Sequence, residues 1–198
     1  MNLRTIGYLA AGWLLLAACM TAPRATAQTG VPPEGASVNF ALTAADGARV
    51  TEQTWRGKWL VVYFGYTLCP DICPATLLEI AGALNELGAR ATSVQGIFIS
   101  VDPQRDTPAV LGDYVKSFDP GLVGLTGAPK QIALAAKSFR VFYERQETGD
   151  GNYTYDHSAF IYIVDPAGKF VKAVGGDVGS KQIAETLTAL LDNARERP

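Results

Sequence analysis

The stretch VVYFGYTLCPDICPATL, from Val61 to Leu77, decides the fold of this chain. Its first half is an apolar run, which is typical of a buried β-strand when a turn follows it. The run ends in a loop that contains Cys69 and Cys73. Pro74 comes next, and proline is accepted in the first turn of a helix because its missing N–H had no partner there. The two thiols are therefore predicted at a strand-to-helix turn.

The spacing of Cys69 and Cys73 allows more than one kind of chemistry. If the loop is roughly helical, residues four apart have Cα atoms about 6 Å apart and side chains on one face. That arrangement allows a disulfide and equally allows two thiolates to chelate one soft metal ion. A position at a helix N-terminus lowers thiol pKa values, which favours redox or metal chemistry over a purely structural bridge. All three roles stay open on the spacing alone.

His157 is the only histidine in the chain. We expect it at the end of a polar loop and directly before an apolar strand, where functional side chains are often held by a rigid element. A solvated loop histidine is the alternative. With Cys69 and Cys73 it makes a three-ligand set that suits Cu(I) or Cu(II), and also zinc with one open position. Asp71 and Asp156 could orient a ligand, although both read as solvated carboxylates.

The N-terminus has the features of an export signal. Arg4 is followed by an apolar segment over residues 6–18, and Leu-Ala-Ala then precedes Cys19. This pattern resembles a bacterial lipobox, in which Cys19 becomes the acylated first residue of the mature chain. Cleavage before Gln28, after Ala-Thr-Ala, is a second possibility, and an uncleaved membrane anchor is a third. All three place the domain outside the cytoplasm.

Composition limits the organisation and the partners of the chain. We expect a signal or anchor over residues 1–19, a flexible tether over 20–37 and one domain over 38–198. If Cys19 is lipidated or removed, Cys69 and Cys73 are left as a pair. The net charge of −2 and the absence of any cluster of Lys and Arg argue against a nucleic-acid partner.

Hydrophobic periodicity predicts strands that alternate with helices. The predicted strands are Val38–Thr43, Arg49–Thr51, Trp59–Tyr66, Val94–Val101, Leu122–Leu125, Arg140–Gln146, Ser158–Val164 and Phe170–Val174. The predicted helices cover 75–89, 108–118, 129–139 and 180–190. A polar loop is expected over Glu147–Asp156, and Asp102–Pro108 is interpreted as a turn followed by a helix cap. The result is an α/β fold with a central mixed sheet, helices on both faces and an N-terminal β-hairpin.

Four blocks of this sequence resemble the SCO/SenC family of copper-handling assembly factors for cytochrome oxidase. They are YFGYTLCPDICP (Tyr63–Pro74), FISVDPQRDTP (Phe98–Pro108), FDPGLVGLTG (Phe118–Gly127) and YDHSAFIYIVDPAG (Tyr155–Gly168). The resemblance implies a thioredoxin-like domain that binds copper, as Cu(I), Cu(II) or both. The copper ligands that it implies are Cys69, Cys73 and His157.

The same resemblance implies a function, and the export signal implies the location. The family role is to deliver copper to the binuclear copper centre of cytochrome c oxidase subunit II, or to reduce the cysteines of that centre. A metallochaperone is the first expectation. A thiol-disulfide oxidoreductase that uses Cys69 and Cys73 as a reversible disulfide is the second, and an exported binding domain with a structural disulfide is the third. The expected partners are oxidase subunit II, a copper donor chaperone and a periplasmic thiol reductant, at the periplasmic side of the bacterial cytoplasmic membrane.

Overall fold

The computed structural model describes residues 30–149 and 151–195. The predicted export signal, including Cys19, therefore lies outside the described residues. The strands are β1 (Ala41–Ala44), β2 (Arg49–Thr51), β3 (Trp59–Gly65), β4 (Val94–Ser100), β5 (Val123–Thr126), β6 (Tyr143–Gly149), β7 (Asn152–His157), β8 (Phe160–Val164) and β9 (Phe170–Gly175). The α-helices are α1 (Ile72–Leu87), α2 (Pro108–Lys116), α3 (Pro129–Phe139) and α4 (Gly179–Arg195). Across these ranges, no helix is both long and apolar enough to cross a bilayer.

Seven of the strands form one mixed sheet in the order β2-β1-β5-β4-β3-β8-β9. β3, β4 and β5 run parallel to one another, whereas β1 and β8 pair antiparallel to β5 and β3. All seven residues of β3 are buried, as expected for a central strand that is covered on both faces. The predicted mixed sheet is confirmed.

Helices cover both faces of the sheet. On one face, the Tyr63 ring lies 6.0 Å from Phe98 on β4, and Phe98 lies 5.8 Å from Tyr114 on α2. On the other face, Phe64 packs against Phe139 on α3 at 5.3 Å. Successive residues of a strand point to opposite faces, so Tyr63 and Phe64 connect the two layers. The side chain of Tyr63 also points towards α1, which starts at the C-terminal end of β3.

The N-terminal hairpin β1–β2 turns at Asp46-Gly47, as predicted. The expected tether over residues 20–37 is wrong for its last part, because the described residues from Gly30 onward are bound to the domain. The Gly35 N–H donates to the Phe170 carbonyl and the Phe170 N–H donates to the Ala36 carbonyl, each at 2.8 Å. These two bonds attach the segment to Phe170, the first residue of β9.

The polar loop predicted over Glu147–Asp156 is also wrong. These residues complete β6 and form most of β7, which pair with each other as a separate two-stranded sheet. Gly149 and Gly151 have φ angles of 94° and 74°, which allow the tight turn between the strands. A hairpin that is exposed on most of its surface needs few apolar residues, so its composition resembles that of a loop. His157 is consequently the last residue of a strand.

Candidate metal centre

The structure brings Cys69, Cys73 and His157 together at the C-terminal end of β3. Cys69 lies in the loop that follows β3, Cys73 is the second residue of α1, and His157 ends β7. The Sγ atoms of the two cysteines and a ring nitrogen of His157 all lie within 4.8 Å of one another. Three side chains from two distant parts of the sequence thus converge on one small volume, as the ligands of a single ion must.

Backbone and ring hydrogen bonds orient each of these groups. The Cys73 N–H, at the start of α1, points at Cys69 Sγ at 3.4 Å. His157 Nδ1 lies 3.1 Å from the carbonyl oxygen of Ser158, which can only accept, so this contact is a hydrogen bond when Nδ1 carries the proton. In that tautomer the lone pair of Nε2 faces Cys73 Sγ at 3.3 Å. This is the tautomer that a metal-binding imidazole needs.

The two cysteines differ in burial and in acidity. Cys73 is completely buried, whereas Cys69 keeps 8% of its surface exposed. The hydrogen bond from the Cys73 thiol outweighs burial and, with further bonds from His157 and backbone N–H groups, lowers the pKa of Cys69 to about 4. The same hydrogen bond and burial raise the pKa of Cys73. At neutral pH the pair therefore consists of the Cys69 thiolate and the Cys73 thiol, and Cys73 is the more deeply buried of the two.

Tyrosine rings line the site. Tyr63 and Tyr66 place their rings 6.2 and 6.0 Å from the His157 ring, both edge to face. The Tyr63 hydroxyl donates to Cys73 Sγ at 4.0 Å, and burial raises the pKa of this hydroxyl, which keeps it a donor at neutral pH. The surroundings of the thiols are thus mostly dry and aromatic, which strengthens charge interactions inside the site.

Both thiols are free in the structure. The predicted disulfide between Cys69 and Cys73 and the predicted ligand roles of the three residues remain predictions. Asp71 and Asp156 are exposed, and the Asp156 carboxylate bonds Gln146 at 3.1 Å and does not reach the site. Among the described residues, neither carboxylate makes a hydrogen bond to Cys69, Cys73 or His157.

Two buried carboxylates near the site were not singled out from the sequence. Asp102 and Asp106 are both completely buried. Asp106 accepts hydrogen bonds from the backbone and side chain of Thr67, at 3.0 and 2.6 Å. Asp102 accepts from the Tyr153 hydroxyl at 2.9 Å. The one sequence feature that could have indicated these buried carboxylates is the segment Asp102-Pro-Gln-Arg-Asp106, which directly follows a buried strand. Charged residues that are buried at such a position need hydrogen-bonding or charged partners.

This fold and this site define a thioredoxin-like domain that carries a two-cysteine, one-histidine cluster suited to a soft metal ion. The family model for SCO1/SenC matches residues 29–192. The chain belongs to the SCO1/SenC family, as its sequence blocks indicated.

Individual members of the family resemble the chain to different extents. "Protein SCO1 homolog 1, mitochondrial" of Arabidopsis thaliana is 46% identical over 137 residues, which are 69% of this chain and 41% of that protein. The chain thus matches less than half of that relative's length. The crystal structure of Arabidopsis thaliana ScoI with copper bound superposes with a TM-score of 0.75 at 40% identity, covering 79% of this chain and 98% of that one. BsSco, described as having a disulfide switch and as a member of the Sco family of cytochrome c oxidase assembly proteins, has a TM-score of 0.64 at 25% identity, covering 82% and 96%.

Proposed function

We propose that this protein is a copper metallochaperone for the assembly of cytochrome c oxidase, with copper as its cargo. Cys69, Cys73 and His157 hold the copper. The observation that carries the proposal is the convergence of their three donor atoms within 4.8 Å. The copper-bound ScoI of Arabidopsis thaliana, which has the same fold, supports the choice of metal. The description of BsSco as a member of a family of oxidase assembly proteins supports the role in assembly.

The donor set suits both oxidation states of copper. Soft thiolates select Cu(I), and an imidazole beside thiolates also accommodates Cu(II). Cys69 is already a thiolate at neutral pH, whereas Cys73 must release its proton when the metal binds, since the thiolate is the ligand. Three protein ligands leave room for an incoming ligand from the acceptor, which transfer by ligand exchange requires.

Copper titration of the reduced protein tests this proposal. We expect one copper per chain, and we expect Cys69→Ser or Cys73→Ser to abolish tight binding, because a hydroxyl is a hard and weakly acidic substitute for a thiolate. The oxidised protein is the matched control, since it differs only in the bond that blocks both sulfurs, and it should bind no copper. Unchanged affinity in either serine variant would remove that cysteine from the site.

A thiol-disulfide oxidoreductase is the second candidate, and the unequal acidity of the two thiols favours it. In that reaction the Cys69 thiolate attacks a disulfide of the oxidase copper site and forms a mixed disulfide. Cys73 then loses its proton and attacks Cys69, which releases the substrate as a dithiol and leaves a Cys69–Cys73 disulfide. A periplasmic thiol reductant must restore the pair. An exported binding domain with a permanent structural disulfide is a weaker reading, because a bridge that closes so short a loop removes little chain entropy.

His157→Ala separates the two candidates, because metal transfer uses the imidazole and dithiol exchange requires only the sulfurs. We expect this variant to lose Cu(II) affinity more than Cu(I) affinity, since two thiolates alone can hold Cu(I). Expressed in place of the native protein, it should impair oxidase assembly nearly as much as loss of both cysteines, while its rate of reducing a model disulfide stays within a few-fold. Normal oxidase assembly in this variant would favour the reductase.

The location and the immediate partners belong to the same proposal. We place the domain of residues 38–198 at the periplasmic side of the bacterial cytoplasmic membrane, attached through lipid on Cys19. Residues 1–19 then serve as the export signal, and the residues between Cys19 and Gly30, from which the chain is bound to the domain, serve as the tether. The acceptor is the binuclear copper centre of oxidase subunit II, and a periplasmic chaperone donates the copper.

A further inference from the structure

The hairpin that carries His157 stands apart from the main sheet. β6 and β7 pair only with each other. At the base of the hairpin, the Ser158 N–H donates to the Phe142 carbonyl at 2.9 Å and the Phe142 N–H donates to Ser158 Oγ at 3.0 Å. These bonds close the hairpin on itself and do not attach it to the sheet. Beyond the short connection through Ser158 and Ala159 to β8, the hairpin is held against the rest of the domain by side chains.

Asp102 and Arg105 hold the hairpin at Tyr153, four residues before His157. The Tyr153 hydroxyl donates to Asp102 Oδ1 at 2.9 Å, and Arg105 Nη1 donates to the Tyr153 carbonyl at 3.0 Å. The Arg105 guanidinium also stacks on the Tyr153 ring at 3.7 Å and pairs with the Asp102 carboxylate. Tyr153 is thus bound through its hydroxyl, its ring and its backbone, and this contact set is called the Tyr153 clamp below.

The same turn holds the loop that carries the cysteines. Asp106 accepts three hydrogen bonds, from the Thr67 N–H at 3.0 Å, from Thr67 Oγ1 at 2.6 Å and from Ser100 Oγ at 2.6 Å. Thr67 lies two residues before Cys69. The Asp106 N–H donates to the Asp102 carbonyl at 2.9 Å, which fixes the two carboxylates relative to each other. The cysteine loop and the histidine hairpin are therefore both bound to one short turn after β4.

Stability alone gives little reason for these buried charges. A buried ion pair often contributes no more than well-packed apolar residues would, because desolvation offsets the attraction. Hydrogen bonds are directional, so bonds from this turn to two separate segments fix the distances and angles between those segments, which apolar packing does not. A metal-binding group must be held within about 0.5 Å of its working position by such supports. The arrangement therefore fits a role in geometry.

We propose that Asp102, Arg105 and Tyr153 are positioning residues that hold His157 opposite Cys69 and Cys73 before any metal arrives. The consequence for copper rests on the proposed function, but the positioning itself is a property of the metal-free protein. Loss of the Tyr153 clamp should let the hairpin move, even though Tyr66 and Thr154 still join it to the cysteine loop at 2.5 Å. The imidazole then becomes a poorer third ligand, while the two sulfurs stay in place.

The chain offers a matched pair of arginines for a test. Arg105 and Arg145 each stack on the Tyr153 ring at 3.7 Å. Arg145 belongs to β6 of the same hairpin and pairs with Glu147 there, and its one hydrogen bond to the turn is a long, exposed contact with Gln104 Oε1 at 3.4 Å. Its loss should therefore leave the hairpin attached through Tyr153. Arg105→Ala removes the ring and backbone contacts of the clamp, and Arg145→Ala is the control. Tyr153→Phe is a milder variant that keeps the ring and the ion pair and removes only the hydroxyl, with its bonds to Asp102 at 2.9 Å and Gln104 at 3.4 Å.

The readout is taken on the full, metal-free, reduced chain. Because His157 is the only histidine, isotope-labelled histidine gives a single imidazole signal in NMR. We expect this signal to stay unchanged in Arg145→Ala and to broaden or move towards that of an unstructured histidine in Arg105→Ala and Tyr153→Phe. Amide hydrogen exchange of β7 should accelerate about tenfold or more in the same two variants, which corresponds to one lost hydrogen bond to a charged group. Exchange of β3 and β4 should not change.

Two results would overturn the proposal. The first is an imidazole signal and a β7 exchange rate that match the wild type in both clamp variants. The second is faster exchange throughout β3 and β4 in both variants, because it would show a general structural role. Failure of the wild-type protein to bind copper would instead refute the proposed function and leave these metal-free measurements standing. With copper present, the clamp variants should lose Cu(II) affinity and the nitrogen coupling in the electron paramagnetic resonance spectrum, and keep Cu(I) bound.

Discussion

Gly65→Ala should displace the Cys73 thiol and weaken copper binding, because the absence of a side chain at Gly65 provides the space that this thiol occupies. Gly65 is the last residue of β3. A Cβ atom added there would lie 2.6 Å from Cys73 Sγ and 2.9 Å from Phe98 Cε2. Cys73 and Phe98 are both completely buried, so neither side chain can turn into solvent to make room. The strand or the thiol has to move.

The displacement can be worked out from contact distances. Non-bonded carbon atoms pack at about 3.5–4.0 Å, and sulfur is larger, so the alanine methyl group is about 1 Å too close. Cys73 Sγ now lies 3.3 Å from His157 Nε2, and a positioned site tolerates errors of only about 0.5 Å. Overpacking of a buried position costs about 1–3 kcal/mol. For a domain of this size that loss lowers the Tm by roughly 2–12 °C.

The assay combines thermal unfolding of the metal-free protein with Cu(I) affinity measured by competition with a chelator. Gly96→Ala is the matched control. Its added Cβ would lie 2.4 Å from Leu122 Cδ2 and 3.2 Å from Leu84 Cδ1, in the core below α1 and away from the thiols. We expect both variants to lose stability and only Gly65→Ala to lose copper affinity. Wild-type copper affinity in Gly65→Ala, at any Tm, would refute the reasoning.

Two further predictions concern single cysteines. Iodoacetamide should label Cys69 before Cys73 in the reduced, metal-free protein and should still do so at pH 5–6, because a pKa of about 4 keeps Cys69 ionised there, whereas ordinary thiols, with pKa values of about 8.5, lose reactivity below neutral pH. Peptide mass spectrometry checks this, and preferential labelling of Cys73 would contradict the assignment of the thiolate. Cys19→Ala should prevent lipid labelling and leave an unprocessed precursor, since the acylated cysteine defines the cleavage point. A native mature chain that begins at Gln28 would exclude lipidation at Cys19.

The sequence predicted the parts of this fold that follow from local pattern. The buried strand before the cysteines, the helix after them and the alternation of strands and helices all reflect runs of apolar residues with a clear period. The cap of α2 was also predicted, and Thr107 accepts a hydrogen bond from the Val110 N–H with Pro108 in the first turn. Such features depend on neighbours within a few residues, so a single sequence contains enough information to place them.

The support of the site could not be predicted in the same way. Asp102 meets Tyr153 across 51 residues, and Asp106 meets Thr67 across 39 residues. From the local sequence alone, two aspartates that flank a proline and an arginine predict a solvated turn. The two carboxylates can be buried only because residues from distant segments hydrogen-bond them. The hairpin β6–β7 was predicted as a loop for a related reason. Its strands are stabilised by pairing with each other and by tyrosines on one side, and its mostly polar residues give no periodic pattern from which that pairing could be predicted.

The unequal cysteines suggest an order of events that both proposed functions share. Cys69 is the thiolate and the more exposed sulfur, so an incoming copper ion or a disulfide meets it first. Cys73 is buried and protonated and must lose its proton to act second, as a metal ligand or as the thiol that resolves a mixed disulfide. The position of His157 then makes the difference. An imidazole that is held with Nε2 3.3 Å from Cys73 Sγ adds a ligand for a metal, whereas disulfide exchange needs only the two sulfurs. A rigid support for this histidine is therefore expected of a copper carrier more than of a reductase.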